Sequence, residues 1–356
     1  MYRNRELDRF ERDWGVVLPG AMDYLKPEWK RDFQMAMDAQ PSLISTASAG
    51  IPSFLSTFID PDILRIVTAK NKAVEIFGEV KKGDWLQKVA MFPVVEHTGE
   101  PSTYGDFSKN GRANANAEFE ARESYLYQVI VEYGERELEM AGLARIGWAS
   151  ELKQAQVSIL NKFQNLTYFY GVQGLQCYGI LNAPGLNAPI SPAVKQAGGV
   201  SWFNGTVPNA TANEVYNDII ALATQLVNQS NGDIDEESEL VLALSPRSSM
   251  ALTFANSYNV SVRDLIEKNY KRLKIVTAIQ YGAQTASNPQ GNVAGEIVQL
   301  IAPTVNSQKT GFCAFTEKLR AHAIIRDDSS FRQKMTQGTW GAVIRQPYAI
   351  AQLLGV

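Results

Sequence analysis

The sequence predicts an α+β protein, and three observations carry that prediction. One long amphipathic helix over residues 150–170 stops hard in a glycine-rich turn, and a long excursion over 79–123 lacks a dense core. Strand, helix, strand alternation over 211–302 then marks a small α/β region inserted after the helix.

The helix is read from spacing. Leu152, Ala155, Ile159, Phe163, Leu166 and Tyr170 recur at steps of three and four, which lines one helical face. Ser150 is placed as N-cap, with Glu151 in the first turn against the positive end of the dipole. Such a helix is about 30 Å long at 1.5 Å per residue. Val157, Leu160 and Phe169 lie off the stripe, so a second side is partly apolar and implies burial between two layers or against another copy of the chain. Gly171, Gly174, Gly179 and the run YGILNAPG at 178–185 then reverse the chain. A phosphate loop follows a strand and opens a helix, whereas these glycines close one, so they read as a stop.

Composition narrows the function. A chain of 356 residues with 45% hydrophobic and 20% charged residues can bury a sizeable core. A net charge of -3 offers no global attraction to nucleic acid or to an anionic membrane. No apolar run approaches the roughly 20 residues that cross a bilayer. The start, MYRNRELDRFERDWG, lacks the apolar segment of a signal peptide, which places synthesis in the cytosol. Cys177 and Cys313 are too few for a disulfide framework and read as small buried hydrophobes.

Taken in order, residues 1–60 read as an extended arm, with a helix over 26–39 and then QPSLISTASAGIPSFLSTF, rich in small and hydroxyl side chains. Asp60-Pro61-Asp62 opens a short helix over 63–74. In the excursion, 85–95 is strand-like, TYGDFSKNGRANANAEFE is a polar tip, and Asn110-Gly111 is a candidate hairpin turn. The strand over 124–133 puts Tyr125, Tyr127, Val129, Val131 and Tyr133 on one face. Two strands alone are marginal in water, so the excursion is expected to lie across a neighbouring subunit. Thr211 to Glu214 is a capping box, followed by Val215, Ile219, Leu222, Ala223 and Leu226 at helical spacing. Strands are expected over 239–244, 272–278 and 296–302, with a helix capped by Ser245-Pro246 running to about 255. Apolar and β-branched runs over 311–325 and 339–354, with a charged stretch 326–334 between them, should pack on the long helix.

Searching for chemistry yields little. The only histidines, His97 and His322, sit far apart on different elements, and neither HExxH nor paired CxxC is present. The run from Asp233 to Glu239 alternates acids as a calcium loop does, but lacks the central glycine and the terminal glutamate in place, so it reads as a solvated loop. No G-x-S-x-G elbow or Walker loop occurs, and the sequon at Asn165 falls inside the long helix. Arg320, Arg326, Arg332, Lys334 and Arg345 gather near the C-terminus with only Phe331 and Trp340 as aromatic company. Ion pairing between subunits is the expectation for them.

The order of parts resembles the major capsid proteins of tailed bacteriophages, the Hong Kong 97 type fold shared with encapsulin shells. The pieces that carry the resemblance are the arm, FIDPDIL at 58–64, the long hairpin, the strand over 125–133, the long helix with its YGILNAPG exit, the α/β insertion, and the ending GTWGAVIRQP at 338–347. It covers nearly the whole chain, and its specificity lies in the order of elements. It implies an arm at 1–60, a peripheral domain of 61–78 and 124–185 built on a spine helix at about 150–170, and an extended loop at 79–123. It further implies an axial domain at 186–310 and peripheral-domain strands at 311–356.

The function implied is a subunit that self-assembles into hexamers and pentamers of an icosahedral shell around double-stranded DNA, with no cofactor, no metal and no catalysis. Implied partners are other copies, a separate scaffolding protein because the arm is short, a portal, a decoration protein, and packaged DNA held weakly; no membrane is involved. The shell would assemble in the host cytoplasm. The expected contacts between subunits are Trp85, Phe92, Tyr104, Phe107, Arg320, Arg326, Arg332 and Arg345. Two alternatives remain open: an encapsulin-like compartment, and an α/β enzyme with its site in 211–302, against which the scarcity of histidine speaks.

Overall fold

The structure is a computed structural model that describes residues 71–143 and 147–356. The expected arm, the helix over 26–39 and the helix over 63–74 up to residue 70 lie outside the described residues. Among the rest, two compact units separate, one of 130–157 with 322–334 and one of 71–129, 158–321 and 335–356.

The described chain opens with α1 (Ala73–Phe77) and β1 (Glu79–Lys81), then the paired strands β2 (Val89–Glu100) and β3 (Arg112–Glu123). β4 (Tyr125–Gly134), α2 (Glu135–Leu143) and α3 (Trp148–Tyr170) follow. A small hairpin of β5 (Phe203–Asn204) and β6 (Val207–Pro208) precedes α4 (Ala212–Gln229), β7 (Leu240–Leu244), α5 (Pro246–Ala251) and α6 (Val262–Asn269). β8 (Leu273–Thr277), β9 (Ile297–Ile301), β10 (Thr304–Val305) and β11 (Gln308–Lys309) lead to β12 (Gly311–Ala321), β13 (Ile325–Arg326), β14 (Ser330–Ile344) and β15 (Ile350–Leu354).

The larger unit holds a four-stranded sheet in the order β15-β9-β7-β8, with β7 and β8 parallel and the other pairs antiparallel. Its core is what the sequence dictates. The Thr211 hydroxyl accepts from the Glu214 N–H while the Glu214 carboxylate accepts from the Thr211 N–H, which closes the capping box of α4. Val215, Ile219, Leu222 and Leu226 then lie buried with Leu242, Leu300 and Leu353 of the sheet. Ser245 caps α5, but that helix stops at Ala251 rather than 255, and a further helix, α6, starts from a second capping box, Ser261 with Asp264.

The same unit holds β12 antiparallel to the C-terminal part of β14, with β1 parallel to β12. Here the long apolar run expected over 339–354 is divided. Pro347 lies in a 3-10 turn, and the chain leaves β14 to pair β15 with β9. The last strand therefore completes the four-stranded sheet, not the sheet of β12 and β14. In the smaller unit the charged stretch is itself a strand: β13 pairs with the first residues of β14, and Tyr133 stacks on Phe331 at 5.6 Å.

The long helix α3 corrects the sequence reading twice. It begins at Trp148, so Ser150 lies within the first turn and its N–H donates to the Gly147 carbonyl. The inward face is also not the expected stripe. Ala155 and Ile159 are exposed, Ile159 by 53%, whereas Gln156, Leu160, Gln164, Asn165, Thr167, Tyr168 and Phe169 are buried. Polar side chains make that buried face workable because they are hydrogen-bonded, some within the helix and some across to other elements. In the larger unit, the Gln337 amide donates to Asn161 at 3.1 Å, Tyr127 donates to Gln337 at 2.7 Å, Gln164 donates to the Tyr168 hydroxyl, and Tyr168 donates to Glu79 at 2.8 Å. Burial, and then the Glu79 carboxylate, hold the Tyr127 and Tyr168 phenols protonated well above the usual range.

Candidate interaction surface

The hairpin of β2 and β3 is paired without a break from Val89 opposite Glu123 to Glu100 opposite Arg112. Twelve residues per strand give about 40 Å at 3.4 Å each. The stretch 112–120, expected as polar tip, is strand; the tip is 101–111.

Its base is fixed to its own unit. Phe92 is buried and meets the Phe312 ring edge-on at 6.0 Å. Arg122 is buried with its guanidinium 4.8 Å from the Tyr178 ring centre and its charge paired to Glu120. The Glu123 N–H donates to the Gln176 carbonyl, and the Gln176 N–H donates back to the Glu123 carboxylate. The turn that receives this base exists because Gly171 adopts φ 68°, at a place where a Cβ would stand 2.1 Å from the Cys177 carbonyl oxygen.

Beyond the base the two faces of the ribbon differ in chemistry. Residues opposite one another share a face, so Met91, Pro93 and Val95 stand with Ala117, Phe119 and Ala121, continued by Ala113 and Ala115. Met91 is 67% exposed and Phe119 62%. The other face carries Thr98, Asn114, Asn116, Glu118 and Glu120. Eight such residues on one face, most of them in solvent, are the reverse of what a free ribbon should show. At the tip, Tyr104 and Phe107 are 91% and 99% exposed, and the Tyr104 hydroxyl donates to Asp106.

The remaining expected contact residues are engaged within their own units. Trp85 lies under the Arg320 guanidinium at 4.1 Å, and Arg320 also pairs with Glu317. Arg345 lies 5.1 Å from the Phe312 ring centre, Arg326 pairs with Glu135, and Arg332 pairs with Glu132 and Asp327. Phe92, expected between copies, faces its own chain because the strand's alternation turns it toward Phe312. The exposed arginine pairs are of the kind worth about 0–1 kcal/mol each. Asp235, in the acidic run, accepts from the Ser238 hydroxyl and the Glu237 N–H. Among the described residues no group of three or more His, Cys, Asp or Glu is arranged to hold a metal ion. No described helix is long and apolar enough to cross a membrane.

Residues 42–355 match the sequence family described as Pa193 gp26 major capsid protein. The chain belongs to this family. As a major capsid protein it self-assembles into a shell built of capsomers and is a component of the virion. The encapsulin-like and enzymatic alternatives are not favoured. No curated protein matches the sequence. Among solved structures, the capsid of Myoviridae phage XM1 superposes with a TM-score of 0.67 at 13% identity, covering 87% of this chain and 100% of that one. The capsid of the native GTA particle gives 0.57 at 11% identity, over 88% and 100%. Gordonia phage Cozz gives 0.53 at 12% identity, over 89% and 98%. At these identities the likeness is one of fold, and the capsid protein has the α+β Hong Kong 97 type.

Proposed function

We propose that the capsid protein builds its shell by laying the apolar face of the hairpin on a neighbouring copy. The observation that carries this reading is the solvent-exposed row Met91, Pro93, Val95, Ala117 and Phe119 on a ribbon whose base is rigidly held. Fully burying one Met or Phe side chain is worth about 1.5–3 kcal/mol, so covering the row supplies a driving force that the isolated subunit leaves unused. Tyr104 and Phe107 then seat the tip on the neighbour, while Trp85, Phe92, Arg320 and Arg345 act from behind by holding the base. Arg326 and Arg332 exchange partners with adjacent copies at the exposed edge.

In this reading 1–60 is an arm, 61–78 with 124–185 and the strands of 311–356 form the peripheral domain, 79–123 is the extended loop, and 186–310 is the axial domain. Copies gather as hexamers and pentamers around double-stranded DNA, without catalysis, in the host cytoplasm. A separate scaffolding protein, a portal and a decoration protein complete the particle. With a net charge of -3 the subunit holds the packaged DNA only weakly.

The test replaces residues 95–117 with a short glycine-serine turn, which spares the anchoring Phe92 and Arg122. The variant should melt as cooperatively as the parent and yield no shells by electron microscopy. Normal shells from the shortened chain would overturn the reading.

A further inference from the structure

The outer side of α4 differs from the other exposed helices. Its inner side is buried on the four-stranded sheet, and outward it presents Asn213, Asn217, Ile220, Ala221, Thr224 and Val227. Within the whole helix the only charged side chains are Glu214, which belongs to the capping box, and Asp218, which is buried. By contrast α2 carries Glu135, Arg136, Glu137 and Glu139, and α6 carries an exposed Arg263 to Glu267 pair. An exposed helical face is ordinarily solvated by charge, so this neutral face is suited to contact.

The same unit holds a strongly exposed aromatic side chain on a loop, Tyr258. Residues 256–260 form a closed turn in which the Asn256 carboxamide oxygen accepts from the N–H groups of Tyr258 and Val260 at 3.0 and 3.1 Å. The Asn256 N–H donates to the Val260 carbonyl, and Asn259 takes φ 62°. This rigid turn holds Tyr258 85% exposed. An aromatic ring already fixed in place loses little freedom on docking, which is how interface anchors gain most. The phenol needs a polar partner once covered, and the asparagines beside Ile220 and Val227 offer amides.

We infer that Tyr258 of one copy docks on the outer face of α4 of the next, a second contact between copies that is independent of the hairpin. A second copy fits better than a separate protein for a reason of area. An 18-residue helix is about 27 Å long and about 10 Å wide, so its outer face falls well short of the roughly 800 Å² per partner that a free-standing complex buries. A contact that small holds when it is repeated around a ring in which each copy gives one knob and receives another. The inference rests on the shell reading above.

The experiment places Tyr258→Cys and Val227→Cys in one full-length chain, whose native Cys177 and Cys313 are buried. Shells are first seen by electron microscopy and then mildly oxidised. A ladder of covalent oligomers on a non-reducing gel is expected, absent from either single variant and from unassembled subunits. Shells without a ladder, or a cross-link to another structural protein of the particle, overturn the inference while leaving the shell reading intact. Failure of the parent chain to form any shell removes that reading, and this inference with it, before oxidation. As an independent arm, Tyr258→Lys and Val227→Glu should each lower shell yield about tenfold, as loss of an interface anchor does, and together restore it. Single variants that assemble like the parent contradict the inference.

Discussion

Asp218 shows how much one side chain can organise. Its carboxylate is buried with Lys195, to which it is paired, and with Trp202, whose indole N–H donates to it at 2.7 Å, and it also accepts from the Ala193 N–H at the edge of this pocket. It thereby fastens the loop before α4 to the helix. Asp218→Ala leaves the Lys195 ammonium buried without a counter-charge, and breaking such a pair costs about 3–5 kcal/mol. Urea unfolding should show that loss as a lowered midpoint; a midpoint equal to the parent's would mean the pair is idle. Cys177 illustrates the opposite kind of group. Burial pushes its thiol up to about 11 from 9.0, with the Val172 hydrogen bond and Arg122 only partly opposing. Because folding favours the protonated thiol, its contribution is fully present below pH 9 and declines as pH rises toward about 11. At pH 8 the native chain should resist a thiol reagent that labels both cysteines after unfolding. Rapid labelling of Cys177 in the folded chain would contradict the burial.

At the scale of elements, Asn165 joins two of them. Its side-chain oxygen accepts from the Lys72 and Ala73 N–H groups at 3.0 and 3.1 Å, so α3 caps α1 from outside. Asn165→Ala should cost about 1–2 kcal/mol, the usual worth of a lost cap, measurable by chemical denaturation. The sequence marks Asn165 only as a chance sequon, because a cap supplied from 93 residues away leaves no local pattern. The inward side of α3 was illegible for a related reason. Periodicity searches weigh apolar residues, and this helix buries Gln156, Gln164 and Thr167 while exposing Ile159. Elements with local signals were legible: the capping box of α4, the buried strands β7 and β9, and the alternating aromatics of β4. The long excursion was legible as an excursion, but its apolar face was not, since Ala113, Ala115 and Ala117 alternate with asparagines and read as a polar tip. Only pairing with β2 reveals that Ala117 stands opposite Val95 and that the same row continues through Phe119, opposite Pro93.

For the molecule as a whole, the division of labour on the hairpin separates folding from assembly. Phe92 and Arg122 serve the subunit, whereas Ala115 and Ala117 touch solvent and contribute little to its stability. A glutamate at either alanine should therefore leave the subunit's stability within about 0.5 kcal/mol, as surface substitutions do. In a shell that same carboxylate would be pressed into an apolar contact without a partner, which costs several kcal/mol per copy and is multiplied over every copy. Ala115→Glu and Ala117→Glu should then give soluble, cooperatively melting subunits that form no shells. The corresponding change on the opposite face, Asn116→Glu, should assemble like the parent, because that face already carries Glu118 and Glu120. Sedimentation and electron microscopy of the three variants decide the point. Equal assembly by all three would show that the apolar face stays in water, and equal failure would show that both faces are covered.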